Sequence, residues 1–131
     1  MEIADDNMCF ACGRDNPISL GLKFEFVGKN TVEASFIPGK VHQGFKDIMH
    51  GGLITTLLDE SMAKVLSMQG ISAVTAEMKI RFKKPVHIGE KLSIKGSLKK
   101  KRGRLIFTEA RAEDEQGQIR ARAEAKFMVA G

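Results

Sequence analysis

The chain is 131 residues long, carries a formal net charge of +5, and is 43% hydrophobic and 28% charged. That length and balance fit a single domain, residues 1–131, able to bury roughly two-thirds of its unfolded surface. No stretch approaches the ~18 apolar residues of a membrane span, and the acidic start Met1-Glu2-Ile3-Ala4-Asp5-Asp6 lacks the apolar core of a signal peptide.

A cytoplasmic protein without a membrane partner is the expectation. Basic side chains crowd one region: Lys91, Lys95, Lys99, Lys100, Lys101, Arg102 and Arg104. Such a cluster suits a phosphate-bearing partner. With neither Trp nor Tyr in the chain, base stacking would fall to Phe alone. No nucleic-acid partner is expected.

In chain order, residues 1–21 form a turn-rich segment that holds both cysteines, in Cys9-Phe10-Ala11-Cys12-Gly13. A zinc site needs four ligands, and the chain has neither a second Cys pair nor a nearby His pair. A four-cysteine site shared across a two-fold axis is the one metal reading left open. A redox pair usually opens a helix, whereas Gly13-Arg14-Asp15-Asn16-Pro17 follows here. The expectation is two small buried thiols and no metal.

Residues 22–26 and 31–36 alternate apolar and polar around Gly28-Lys29-Asn30, which predicts a hairpin. A loop from Pro38 to Met49 leads into the one long helix, predicted over 51–68 and stopped by Gly70. Leu53, Ile54, Leu57, Leu58, Met62, Val65 and Leu66 follow the i, i+3, i+4 rule and cover one face. Asp59 falls at the edge of that face. Glu60 falls on the far side, four residues before Lys64, where a solvated ion pair would sit.

Gly51 and Gly52 open this helix. Their N–H groups lack intrahelical partners and carry the positive end of the dipole. Without a Cβ they admit another group close to the backbone. An anion, or a carbonyl oxygen becoming one, suits that place. Asp59, about two turns on, would then serve as base or nucleophile. The same residues also admit a plainer reading, a turn entering a buried helix with Asp59 as a local cap.

After Gly70 the alternation persists. It predicts strands over 73–84, 90–100, 104–113 and 118–129, with short links that make consecutive strands antiparallel neighbours or near neighbours. The helix can bury its apolar face only against this sheet. The predicted fold is α+β, a curved antiparallel sheet wrapped around one long helix.

This order of elements resembles the hot dog fold thioesterases, nearest to the phenylacetate-pathway and acyl-CoA thioesterase branch. The likeness rests on His50-Gly51-Gly52 at the helix start, Asp59 nine residues after His50, the strand Ala73-Val74-Thr75-Ala76-Glu77-Met78-Lys79-Ile80-Arg81-Phe82, then Pro85 and Gly89-Glu90. It implies homodimers joined edge to edge, often paired into homotetramers, with active sites between subunits. It also implies hydrolysis of an acyl-CoA thioester without a cofactor, coenzyme A being part of the substrate.

By the same resemblance, the Gly51 N–H polarises the thioester carbonyl and Asp59 of the neighbouring subunit acts as general base or nucleophile. Thr75 takes the position of a hydroxyl near the attacking water. His50 lines the site, with loop packing as its other reading. Where several relatives place an Asn before His-Gly-Gly, this chain has Gly44, and Gln43 beside it offers the same amide. Gly52 and Phe82 border the substrate, and as a bare residue Phe82 also reads as part of the core. Lys100, Lys101, Arg102, Gly103 and Arg104 match the turn that holds the nucleotide end of coenzyme A, and as bare residues they also read as a solvated hairpin tip.

Three other functions stay open at this point. Dehydratases of the same fold use a helix histidine, which this helix lacks. A non-catalytic acyl-CoA binder would keep Gly51 and the basic turn. An acyl carrier protein would suit the basic surface.

Overall fold

The structure, a computed structural model, describes residues 3–130. Six strands form among these residues: β1 (Glu25–Gly28), β2 (Thr31–Phe36), β3 (Ala73–Phe82), β4 (Leu92–Arg102), β5 (Leu105–Glu113) and β6 (Ile119–Val129). Between β2 and β3 come a short 3₁₀ turn, Lys40–His42, and the helix α1, Gly51–Ser67. Each strand pairing is antiparallel, in the order β1-β2-β4-β5-β6-β3. The sheet wraps the helix as the alternation predicts.

The helix buries Ile54, Leu57, Leu58, Ser61, Met62, Val65 and Leu66. Leu57, Leu58, Met62 and Val65 are fully enclosed, each contributing roughly 1.5–3 kcal/mol of transfer free energy. Beneath them the middle of the sheet is built from small side chains: Ala110, Ala112, Ala121, Ala123 and Ala125 are all buried. Gly96 of β4 lies directly under the Ser61 backbone. Small residues at the centre let the helix backbone sit low on the sheet, so Ser61 is buried although it is polar. Its hydroxyl donates to the Leu58 carbonyl at 2.7 Å.

Two sequence expectations need correction. The first strand is not 22–26 but Glu25–Gly28. Leu22 is instead buried with the N-terminal segment, its N–H donating to the Ala11 carbonyl at 3.1 Å. More consequentially, β3 does not lie near β4. It sits at the far edge beside β6, three positions away. Nine residues, 83–91, join the two strands. They reach up to roughly 30 Å, against about 14 Å for three strand spacings, so a short link need not join neighbours. The link runs past the helix start, where Val86 is buried and its carbonyl accepts the Met49 N–H at 2.8 Å.

Arg120 at the start of β6 fastens this link. Its guanidinium reaches Glu90 Oε2 at 2.6 Å, Asp114 Oδ2 at 2.9 Å and the Pro85 carbonyl at 2.6 Å. The Arg120 hydrogen bond holds Glu90 below the usual carboxylate range. Asp114 is held low by the Gln118 N–H and then by Arg120. A lowered carboxyl stabilises the fold at neutral pH and loses that contribution as pH falls through its folded value. Arg120→Ala should therefore lower the urea midpoint at neutral pH and flatten its decline toward about pH 4. Parallel shifts at both pH values would remove this network as the source.

Among the described residues no helix is long and apolar enough to cross a membrane.

Candidate active site

At the start of α1 the chain forms its own cap. His50 takes an extended backbone (φ −60°, ψ 128°), and its Nδ1 accepts the Gly52 N–H at 2.8 Å. That satisfies one donor of the first turn. A Cβ at Gly52 would fall 3.0 Å from the imidazole, so glycine here preserves the cap. The Gly51 N–H, by contrast, has no hydrogen-bond partner among the described residues. It lies at the positive end of the helix. The Phe82 ring stands beside it, 3.5 Å from where a Gly51 Cβ would be, and is 54% exposed.

The loop before the helix supports this corner. The His50 N–H donates to the His42 carbonyl at 2.8 Å. Gly44 lies against His50, where a Cβ would approach its Cα to 3.3 Å. Gln43 Oε1 accepts the Asp47 N–H at 3.1 Å, which braces a residue held at φ +62°. As placed here, Gln43 shapes its own loop.

Asp59 belongs to a second cluster. Its Oδ1 accepts the Thr75 hydroxyl at 2.8 Å. Thr75 lies just before an irregularity in the β3–β6 register, which falls between Thr75 and Glu77. A bulge of this kind bends a strand and re-aims its side chains. Asp59 is half-buried and Thr75 exposed, on the strand edge that no other strand covers among the described residues.

The basic turn between β4 and β5 forms a third cluster, near the other end of the helix. Lys101 and Gly103 border a hollow with Gly70, Ile71 and Val129. Arg104 is tied down, donating from Nη2 to the Val129 carbonyl at 2.8 Å. The Lys100 Nζ lies 5.8 Å from the Phe107 ring centroid. Lys101 and Arg102 make no ion pair among the described residues.

One copy thus holds the anticipated residues in three separate groups. Gly51 and Asp59 are eight residues apart, about 12 Å along a helix rising 1.5 Å per residue.

Glu60 departs from the sequence reading. Lys64 does pair with it at 3.9 Å, but the Glu60 side chain is only 15% exposed. The N-terminal segment covers it, and Cys12 Sγ lies 3.2 Å from its Oε1. Burial first, and then the Glu60 carboxylate, push the Cys12 thiol up to about 12. A helical wheel sees only its own helix, so a cover arriving from 48 residues upstream left no mark on the periodicity.

Residues 46–121 match the sequence profile of the thioesterase superfamily, more than half of the chain. Mouse (Mus musculus) acyl-coenzyme A thioesterase THEM4 is 34% identical over 94 residues, which cover 66% of this chain and 40% of that protein. The chain thus spans well under half of that relative's length. The hypothetical thioesterase of Streptococcus pneumoniae TIGR4, solved with coenzyme A, superposes with a TM-score of 0.78 at 20% identity, covering 84% of this chain and 86% of that one. The E. coli PaaI protein from the phenylacetic acid degradation operon gives the same score at 18% identity, over 83% of each chain. These likenesses establish the sheet-around-helix architecture as the hot dog fold.

Proposed function

This chain belongs to the thioesterase superfamily, and we propose that it hydrolyses an acyl-CoA thioester, releasing a carboxylic acid and coenzyme A. One observation carries the reading. A half-buried carboxylate accepting a hydroxyl from an edge strand, Asp59 with Thr75, coexists with an N–H at a helix start, Gly51, that has no hydrogen-bond partner among the described residues. The first supplies a base with an adjoining water site, and the second supplies an oxyanion donor.

The two parts meet when two copies pair. Among the described residues of one copy, no strand pairs with the β3 edge away from β6. Antiparallel pairing of β3 with its counterpart sets the start of one strand beside the end of the other. Thr75 and Asp59 of one copy then approach Phe82 and Gly51 of the second. A homodimer with sites between subunits follows, and pairing of dimers into tetramers is compatible with it.

In the reaction the Gly51 N–H donates to the thioester oxygen as charge builds there. A water accepts no more than orientation from Thr75, whose hydroxyl proton is already donated to Asp59 Oδ1. The free carboxylate oxygen takes a proton as the water oxygen bonds to the carbonyl carbon. Collapse breaks the C–S bond, and the departing thiolate recovers that proton. Direct attack by Asp59 followed by hydrolysis of the anhydride gives the same products. His50 holds the donor corner, Gln43 holds the loop behind it, and Gly52 keeps the cap compact. The chemistry needs no cofactor or metal.

THEM4 is named for action on acyl-coenzyme A, and the S. pneumoniae structure contains coenzyme A; both support this substrate class. The basic turn supplies phosphate contacts. Replacing Lys100, Lys101 and Arg102 together with Ala should raise KM about tenfold at low salt and spare kcat. The difference should shrink as salt rises. An unchanged KM would make the turn a solvated tip.

A thiol-release assay with dithionitrobenzoate over short, long and aromatic acyl-CoAs tests the function itself. Turnover of at least one class is expected. Silence across the panel, with coenzyme A still bound, would replace the enzyme by a binder; turnover confined to acyl carrier protein would change the substrate.

A further inference from the structure

The N-terminal segment carries a cluster that thioester hydrolysis does not use. Cys9 and Cys12 stand on a turn closed by the Gly13 N–H, which donates to the Cys9 carbonyl at 2.8 Å. Glycine is required there, since a Cβ would fall 2.4 Å from the Cys9 nitrogen and 2.6 Å from its carbonyl oxygen. This tight turn brings both thiols to one helix side chain. Cys12 Sγ lies 3.2 Å from Glu60 Oε1, and Cys9 Sγ lies 3.8 Å from Glu60 Oε2. One ligand atom from each residue falls within 4.8 Å of the others, and all three residues are half-buried.

We propose that Cys9, Cys12 and Glu60 form a binding site for one divalent cation, zinc by preference, with the fourth position open to solvent. The spacing suits that ion. Metal–sulfur bonds of about 2.3 Å and metal–oxygen bonds of about 2.0–2.2 Å at tetrahedral angles set neighbouring ligand atoms roughly 3.5–3.8 Å apart. The Cys12 sulfur lies 3.2 Å from one Glu60 oxygen and the Cys9 sulfur 3.8 Å from the other, near that range, so side-chain adjustments close the site around one carboxylate oxygen. Two thiolates and one carboxylate select a borderline-soft cation over magnesium or calcium.

Charge also balances. Binding releases one proton from each thiol and oxidises nothing. Three ligand charges against the dication leave −1, and Lys64 Nζ stands 3.9 Å from Glu60 Oε1 to offset it. The ion would tie the N-terminal turn to α1 at the residue next to Asp59. Counting four cysteines or histidines along the sequence misses the site because its third ligand is a glutamate 48 residues beyond Cys12.

The test uses the reduced full chain titrated with cobalt(II), then with zinc(II). Expected are a thiolate-to-cobalt charge-transfer band and intense tetrahedral visible bands, saturating at one metal per chain and bleached by zinc. Cys12→Ser should abolish the charge-transfer band of the pair. Glu60→Gln should keep that band but weaken cobalt binding by more than the roughly 10–100-fold that outer partners of a metal site are worth. Absence of the band in the reduced wild type would overturn the proposal. So would wild-type affinity in Glu60→Gln, or saturation at half a metal per chain, which would mean cysteines shared between two copies. Because the readout is spectroscopic, its failure leaves the thioesterase reading untouched.

Discussion

Asp59→Asn lowers kcat by about 10²–10⁴-fold while the chain keeps its fold and its assembly, the range expected for loss of a positioned general base. Asparagine has the same shape, and its carbonyl oxygen still accepts the Thr75 hydroxyl that now reaches Asp59 Oδ1 at 2.8 Å. Only the ability to take a proton or to attack carbon is removed. Thr75→Val should cost less, about tenfold, because it misorients water without deleting the base. Glu60→Gln is the internal control. It sits one residue away but faces the cysteines rather than Thr75, so kcat should hold. Single-turnover kinetics on all three variants check this order, and a wild-type kcat in Asp59→Asn would remove Asp59 from the chemistry.

Gly96→Ala should be the most damaging single methyl in the fold. A Cβ at Gly96 would fall 2.3 Å from the Ser61 carbonyl oxygen and 2.4 Å from its carbon. These are helix backbone atoms and cannot swing away, so α1 must lift off β4. Overpacking usually costs 1–3 kcal/mol, and this contact belongs at about 3 kcal/mol or beyond. For a chain of this size that is a fall of about 10 °C in Tm. Gly28→Ala is the matched control, with nothing among the described residues within 4 Å of its Cβ, and should leave Tm almost unchanged. Equal Tm values for the two variants would contradict the close approach of helix and sheet.

The sequence made the helix legible because its apolar stripe is a local property: Leu57, Leu58, Met62 and Val65 were identified by periodicity and are buried. The six-stranded composition was legible by alternation for the same reason. What depends on closure of the sheet was not. The position of β3 at the far edge follows from curvature and from the reach of a nine-residue link, neither of which periodicity encodes. Gly96 likewise looks like any strand glycine until the helix is laid over it. At the candidate site, Gly51 and Asp59 are legible from their places on the helix and Thr75 only through the family resemblance; the geometry adds how they stand: Thr75 on Asp59, Phe82 beside Gly51, and His50 already engaged with Gly52. Glu60 escaped because its partners come from a distant segment.

In the proposed mechanism one site is assembled from two copies, Gly51 from one and Asp59 from the other. Mixed dimers test it most directly. Gly51→Pro deletes the N–H while keeping the helix, since proline is favoured at the first helical position and His50 already holds the extended backbone that precedes proline. Alone it should lose about 10²–10³-fold in kcat, as loss of an oxyanion donor does. Asp59→Asn and Gly51→Pro chains are then co-expressed with different tags, and the mixed dimer is isolated. In it, one site carries both defects and the other carries neither. Recovery to about half the wild-type rate per dimer is the predicted result. A mixed dimer as inactive as its parents would place Gly51 and Asp59 in the same copy's site and rule out a site shared between copies.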